Sequence, residues 1–94
     1  MVFKPDLDSI KNSFQTGDYD KARNDLFQLF SKVTIQANNE PSIEDYRKWL
    51  DTRLELQHII DHAANLGKST DTPGARQRKL ARLQKILNER IKVI

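Results

Sequence analysis

Residues 14–22 decide the fold, and they read Phe14-Gln15-Thr16-Gly17-Asp18-Tyr19-Asp20-Lys21-Ala22. Gly17 is expected to end one helix, because glycine takes the left-handed backbone conformation without a steric penalty. Asp18 follows directly and is predicted to cap the next helix, since its carboxylate can accept a hydrogen bond from a free backbone N–H group. Two helices joined by so short a turn fold back on each other. The stretch therefore predicts an antiparallel α-hairpin.

The apolar pattern on either side of this turn sets the extent of the two helices. Upstream, Leu7, Ile10 and Phe14 recur at steps of three and four residues, which predicts a helix over about 7–16 with Asp6 or Asp8 as its N-cap. Downstream, a helix over about 18–37 is indicated by one continuous apolar stripe, which consists of Tyr19, Ala22, Leu26, Leu29, Phe30, Val33 and Ala37.

A third helix is predicted over about 43–66, with Ser42 as its N-cap. Its apolar residues form two neighbouring stripes. We call them the Ile43 stripe (Ile43, Tyr46, Leu50 and Leu54) and the Trp49 stripe (Trp49, Leu56, Ile59, Ile60 and Ala63). A helix with so wide an apolar arc usually packs against two neighbours. We therefore expect the third helix to be the spine of the fold.

The C-terminal part begins with residues 67–74, whose composition is that of a linker. A fourth helix is predicted over about 75–93, with an almost heptad apolar stripe of Leu80, Leu83, Leu87, Ile91 and Ile94. No stretch alternates apolar and polar residues as a strand would. The sequence therefore predicts an all-α fold, a small antiparallel bundle of three core helices with a basic amphipathic C-terminal helix.

Charge divides the chain in the same place. The 94 residues are enough for one domain and carry a net charge of +3. Residues 1–66 contain 8 basic and 11 acidic residues, a net charge of −3, whereas residues 67–94 contain 8 and 2, a net charge of +6. We expect an acidic body over 1–66, a linker over 67–74, and a basic helix within 75–94 that packs on the body or on a partner.

Composition argues against several classes of protein. The chain has no cysteine, which excludes disulfides, thiolate zinc sites and a cysteine nucleophile. No apolar run approaches the roughly 20 residues that span a bilayer. The first residues lack the apolar segment of a signal peptide. These features predict a protein of the cytoplasm or the nucleus without a membrane span.

One pair of residues has the spacing of metal ligands. His58 and His62 are four residues apart and so share a helix face. However, Ile59 stands where the His-Glu-x-x-His motif has its glutamate, and a solvent-facing helix edge explains the pair as well. The glycines are isolated, and no serine has a glycine-flanked elbow or a paired base. We expect no catalytic residue, no cofactor and no metal site, and thus no enzyme.

The turn at Gly17-Asp18-Tyr19, with Ala22, Leu26 and Phe30 after it, resembles the turn and second helix of a tetratricopeptide-type hairpin. In that family the small residue at the position of Ala22 lets the two helices approach closely. The resemblance covers one hairpin, residues 7–37, and a stacked array needs several. A peptide-binding superhelix is therefore not implied.

Over about residues 6–66 the chain is also similar to two other helical families. One is the microtubule-interacting-and-trafficking domain, a three-helix bundle with the same turn, in which a groove between helices binds a partner helix or linear motif. The other comprises the N-terminal helical repeats of proteasome-lid-type scaffold subunits, which belong to large assemblies. Both resemblances imply a protein-interaction role, and neither accounts for the basic fourth helix.

These observations predict a non-enzymatic protein–protein interaction module, an adaptor or a subunit of a larger assembly. More large apolar residues are present than one stripe per helix absorbs, and exposed apolar patches mark interfaces. The candidate partner-binding residues are Phe27, Trp49, Leu83, Leu87 and Ile91, and pairing of the fourth helix with its twin in a homodimer would serve equally. The alternative is binding of a polyanion, a nucleic acid or a microtubule surface, through Arg76, Arg78, Lys79, Arg82 and Lys85.

Overall fold

Four helices follow one another in the computed structural model, which describes residues 3–68 and 72–91. They are α1 (Lys4–Thr16), α2 (Tyr19–Asn38), α3 (Ile43–Ala63) and α4 (Pro73–Glu89). No residue in those two ranges belongs to a strand. The prediction of an all-α protein is confirmed.

The turn between α1 and α2 has the predicted chemistry. Gly17 adopts the left-handed conformation with φ of 81°, and its N–H and that of Asp18 both donate to the carbonyl of Ser13. The Asp18 carboxylate accepts a hydrogen bond of 3.3 Å from the backbone N–H of Lys21. Glycine and aspartate thus satisfy the backbone groups that the two helix ends leave free.

The start of α1 differs from the prediction. The helix begins at Lys4 rather than near residue 7, and neither Asp6 nor Asp8 is its N-cap, since Phe3 holds that position without a side-chain cap. Pro5 explains the earlier start, because the first turn of a helix has no use for the N–H that proline lacks. Asp6 and Asp8 instead pair with Lys32 and Lys4, at 3.0 and 2.9 Å.

The other boundaries lie within a few residues of those expected. The Ser42 hydroxyl accepts from the N–H of Asp45 at 3.4 Å, as a predicted N-cap should. α3 ends at Ala63, three residues before the predicted end, and the chain turns through a left-handed Gly67 with φ of 77°. α4 begins two residues early, where Thr72 caps it, and ends at Glu89. The predicted stripe residue Ile94 lies outside the described residues.

All four helices contribute to one core. α2 packs on α1 and α3, and α4 packs on α1 and α3, so that the helices form a closed ring. The buried apolar residues are Leu7, Ile10 and Phe14 of α1, Ala22, Leu26, Leu29, Val33 and Ala37 of α2, Trp49, Leu56, Ile59 and Ala63 of α3, Leu66, and Leu83, Ile86 and Leu87 of α4. Ile86 is a core residue that the predicted stripe of the fourth helix omits.

The two apolar stripes of α3 have opposite environments. The Trp49 stripe faces the core, with only Ile60 half-buried. Every member of the Ile43 stripe is exposed, from 36% at Leu50 to 71% at Ile43. α3 does pack against two neighbours, α2 and α4, as expected, and the buried residues of its Trp49 stripe belong to the shared core. The wide apolar arc therefore leaves one stripe at the surface.

Candidate interaction surfaces

The five predicted partner-binding residues fall into two environments. Phe27 on α2 is exposed over 55% of its surface. The others belong to the chain's own core: Trp49, Leu83 and Leu87 are buried, and Ile91 is half-buried against them. In this conformation Phe27 alone of the five presents a large apolar surface to a partner, and pairing of α4 with a twin would require its buried residues to leave the core.

Trp49 has a local role that its sequence position does not reveal. Its ring meets the ring of Phe3 edge to face, with centroids 5.7 Å apart. Such a T-shaped pair is favoured by the quadrupoles of the two rings. The tryptophan therefore packs the residue before α1 against α3, and it belongs to the core shared by the four helices.

Phe27 and the Ile43 stripe form what we call the apolar face. Phe27 comes from α2, and the stripe runs along α3 through Ile43, Tyr46, Leu50 and Leu54. The exposure of these residues shows that neither α1 nor α4 covers this face. Three of its members, Phe27, Leu50 and Leu54, line the groove between α2 and α3, the pair of helices with the most extensive contact.

Two hollows follow one another along this groove. The first hollow has a volume of about 180 Å³ and is lined by Arg23, Leu26, Phe27, Ile60, Ala64 and Lys68. The second hollow has a volume of about 380 Å³ and is lined by Phe30, Leu50, Asp51, Arg53, Leu54 and Gln57. Apolar side chains form the floor of both, which is the usual character of a binding cleft.

The charged side chains at the rim are mostly basic. The Arg53 guanidinium lies 4.7 Å from the centroid of the Phe30 ring, and its Nε donates to Thr34 Oγ1 at 3.0 Å. Cation–π contact and hydrogen bond together fix this cation beside the second hollow. With Arg23 and Lys68 at the first hollow, three cations and one carboxylate, that of Asp51, line the groove.

Arg23 also holds the end of α3. Its Nη1 donates to the carbonyls of Ala63 and Leu66, at 3.1 and 2.6 Å, and its Nη2 pairs with the Asp20 carboxylate. Ala63 is the last residue of α3, and its carbonyl also accepts from the N–H of Leu66 at 3.2 Å, while Leu66 lies in the turn that follows. The guanidinium therefore closes the C-terminal end of α3 from α2, a contact between residues 40 or more apart in sequence.

The predicted polyanion-binding residues divide in a similar way. Arg78, Arg82 and Lys85 are exposed on α4, and we call them the basic face. Lys79 is half-buried, and Arg76 is half-buried with its guanidinium 5.9 Å from the Tyr19 ring centroid. Arg76 thus lies at the corner where the starts of α2 and α4 meet.

The two histidines lie on the side of α3 that faces α4. His58 Nδ1 is 3.6 Å from Glu55 Oε2, which is also 3.7 Å from Nη1 of Arg90. Burial lowers the pKa of His62, and so do the nearby charges of Arg82, His58 and Lys79, against the opposite effect of Asp61. In the described part of the chain, no three His, Cys, Asp or Glu side chains come together as a metal site would require.

No protein family, curated protein or solved structure matches this chain. Among the described residues, no helix combines the length and the apolar character that crossing a membrane requires. The resemblances to tetratricopeptide-type, microtubule-interacting-and-trafficking and proteasome-lid-type helices therefore stay predictions.

Sequence patterns missed two features of these surfaces. Ile86 lies three residues after Leu83, a helical spacing that should have placed it in the core stripe. The contacts of Arg53 with Phe30 and Thr34 have no comparable signal, because they join residues 19 or more positions apart on different helices.

Proposed function

We propose that this chain is a non-enzymatic protein-interaction module, an adaptor or a subunit of a larger assembly, which docks an amphipathic helix of its partner on the apolar face. The observation that carries the proposal is the exposure of the Ile43 stripe. Four large apolar residues recur on successive turns of one helix, and none is used by the chain's own core.

Burial of the apolar face by a partner is favourable in free energy. Full burial of a leucine or isoleucine side chain stabilises a complex by about 1.5–3 kcal/mol relative to leaving it in water. Ile43, Leu54 and Phe27 are each more than half exposed. A partner that covers them therefore gains several times RT, against the entropic cost of association.

The spacing of the two hollows suits a helix. α3 rises by about 1.5 Å per residue, so Leu54 in the second hollow lies about 9 Å along the axis from Ile60 in the first, and about 15 Å from Ala64. A helix presents a side chain on the same face every seven residues, about 10.5 Å. Two apolar anchors seven residues apart would fill both hollows.

The charges that line the groove determine which charge the partner helix must carry. Arg53 and Lys68 outnumber Asp51 at the two hollows, and the third cation there, Arg23, is paired with Asp20. Like charges placed opposite each other oppose binding, and opposite charges favour it. An acidic amphipathic helix therefore complements the groove, whereas a basic helix such as α4 of another copy does not. A symmetric dimer through this face would likewise bring the same cations together.

A designed helical peptide tests this directly. The probe has about four turns, two leucines seven residues apart, glutamates beside them and alanine elsewhere. We expect fluorescence anisotropy to give a dissociation constant of about 1–100 μM. Replacing the glutamates by lysines should weaken binding at least tenfold. Phe27→Ser and Leu54→Ser should each weaken it at least fivefold, because each removes a wall of one hollow.

Ile35→Ser is the matched control. Ile35 is 60% exposed on α2 but lines neither hollow. Its replacement should leave the affinity unchanged. Equal binding of the acidic and basic probes, or equal losses in all three variants, would contradict the proposal. Light scattering that reveals a dimer abolished by Leu54→Ser would assign the face to a second copy instead.

A further inference from the structure

Ion pairs neutralise the cations of α1 to α3 to a greater extent than those of the basic face of α4. Most cations of α1 to α3 have an acidic partner: Lys4 pairs with Asp8, Lys21 with Asp25, Arg23 with Asp20, Lys32 with Asp6, and Lys48 with Glu44 and Asp45. Within residues 3–68 and 72–91, no ion pair involves Arg78, Arg82 or Lys85. The only acid of α4 is Glu89, in its last turn.

The three cations lie in a row along the helix. Arg78, Arg82 and Lys85 are separated by four and three residues, the spacings that place side chains on one helix face. The row extends about 10 Å along the axis, at about 1.5 Å per residue. Its charges therefore act together on one side of the bundle.

The environment of α4 disfavours a lipid surface as the ligand. A helix that lies on a membrane inserts its apolar side between the lipids. The apolar side of α4 is occupied, because Leu83, Ile86 and Leu87 are buried in the core. Within the described residues, the exposed large apolar side chains, Phe27, Ile35 and the Ile43 stripe, lie on α2 and α3 and none lies on α4.

The guanidinium groups of the basic face and the lack of aromatic side chains in α4 favour a phosphate as the ligand. Two of the three cations are arginines, whose planar fork donates two parallel hydrogen bonds to a phosphate. No aromatic residue occurs in α4, so its surface has nothing on which a base could stack. We propose that the basic face binds the phosphate backbone of a nucleic acid without reading its sequence. This activity is separate from docking on the apolar face and does not depend on it.

Salt dependence tests the proposal on the full chain. The probe is a labelled DNA duplex of about 20 base pairs. Its binding is measured by fluorescence anisotropy at salt concentrations between about 50 and about 200 mM. Each neutralised phosphate contributes about −0.9 to the slope of log affinity against log salt. Three contacts predict a slope of about −2.7, which is about a 40-fold loss of affinity over that range. A duplex of unrelated sequence should bind within twofold.

Matched variants separate this face from net charge. The triple change Arg78→Gln, Arg82→Gln and Lys85→Gln should lower affinity at least tenfold and remove most of the salt slope. The control, Lys4→Gln, Arg47→Gln and Lys48→Gln, changes the net charge equally on other helices and should retain affinity within twofold. Circular dichroism verifies that both keep their helices, and glutamine is a good helix former.

Three results would overturn the assignment. The first is no measurable binding of the duplex at the lowest salt. The second is an equal loss in the control variant, which would assign the attraction to net charge alone. The third is tighter binding of poly-glutamate, or of phosphatidylserine-rich vesicles, than of the duplex, which would assign the basic face to an acidic protein or to a lipid surface.

Discussion

Gly67 lies at the corner where side chains of α2 and α4 approach the end of α3. It lies after α3, and its backbone has φ of 77°. A Cβ atom at this position would lie 2.9 Å from Cδ2 of Tyr19, the first residue of α2. The Tyr19 ring in turn contacts the Arg76 guanidinium of α4. Both the left-handed conformation and the close approach to the ring require glycine here.

Gly67→Ala should therefore destabilise the fold by about 1–3 kcal/mol, since it combines backbone strain with a displaced aromatic ring. Gly74→Ala is the control, because a Cβ at Gly74 meets nothing within 4 Å. Urea unfolding measures both. A loss for Gly74→Ala as large as that for Gly67→Ala would show that the corner at Tyr19 has no special role.

His62 makes stability depend on pH. Its pKa in the fold is lowered by burial first and then by Arg82 and Lys79 of α4 and His58 of α3, while Asp61 acts in the opposite direction. The unfolded chain therefore binds this proton at a higher pH than the folded chain does. Between the two pKa values, folding excludes a proton, so stability falls as the pH decreases below the ordinary histidine range near 6.5.

Replacement of the histidine isolates this effect. We expect the free energy of unfolding to decrease from pH about 7.5 to about 5.5 by more in the wild type than in His62→Gln, because glutamine takes up no proton. Urea unfolding at both pH values gives the decrease in unfolding free energy for each protein. The carboxylates contribute equally to both decreases, so their contribution cancels when one decrease is subtracted from the other. Equal decreases would contradict the assignment.

At the scale of elements, α3 shows how one helix serves two purposes. Its Trp49 stripe packs into the core, and its Ile43 stripe remains at the surface. The two stripes have similar composition, so neither propensity nor periodicity distinguishes them. The packing of the helices distinguishes them, because the Trp49 stripe shares one core cluster with residues of α1, α2 and α4, among them Leu83, Ile86 and Leu87.

Shortening a side chain of α4 should destabilise the fold strongly, whereas shortening one in the Ile43 stripe should have almost no effect. Leu87→Ala removes a side chain that is 1% exposed and should cost about 2–5 kcal/mol. Leu54→Ala removes one that is 55% exposed and should change stability by no more than about 0.5 kcal/mol. Thermal unfolding measures both.

A milder variant covers the case in which Leu87→Ala fails to fold. Ile86→Val shortens a side chain that is 3% exposed and should cost about 0.5–1.5 kcal/mol. Stability unaffected by either change in α4 would mean that this helix does not pack on the body.

At the scale of the whole molecule, the two proposed surfaces lie on different sides of the ring of helices. The apolar face follows the groove between α2 and α3, and the basic face lies on the outside of α4. Packing of α4 through its apolar side leaves Arg78, Arg82 and Lys85 exposed. Both surfaces can therefore be occupied at the same time.

Local features of the fold were predictable and distant ones were not. The Gly17-Asp18 turn and the α2 stripe follow from residues within a few positions of each other, and both predictions hold. Trp49 packs edge to face on Phe3, 46 positions earlier, and Arg23 hydrogen-bonds the end of α3 from 40 positions away. Because such contacts arise only when the helices have packed, no local sequence pattern predicts them.

Backbone amide shifts in a ¹⁵N NMR titration with the acidic leucine probe test the central claim most directly. If an acidic helix docks on the apolar face, the shifts will cluster at the residues that line the two hollows, such as Phe27, Leu54 and Ile60, and will leave Arg78, Arg82 and Lys85 unchanged. Shifts confined to α4, or no saturable shift at millimolar probe, would contradict it.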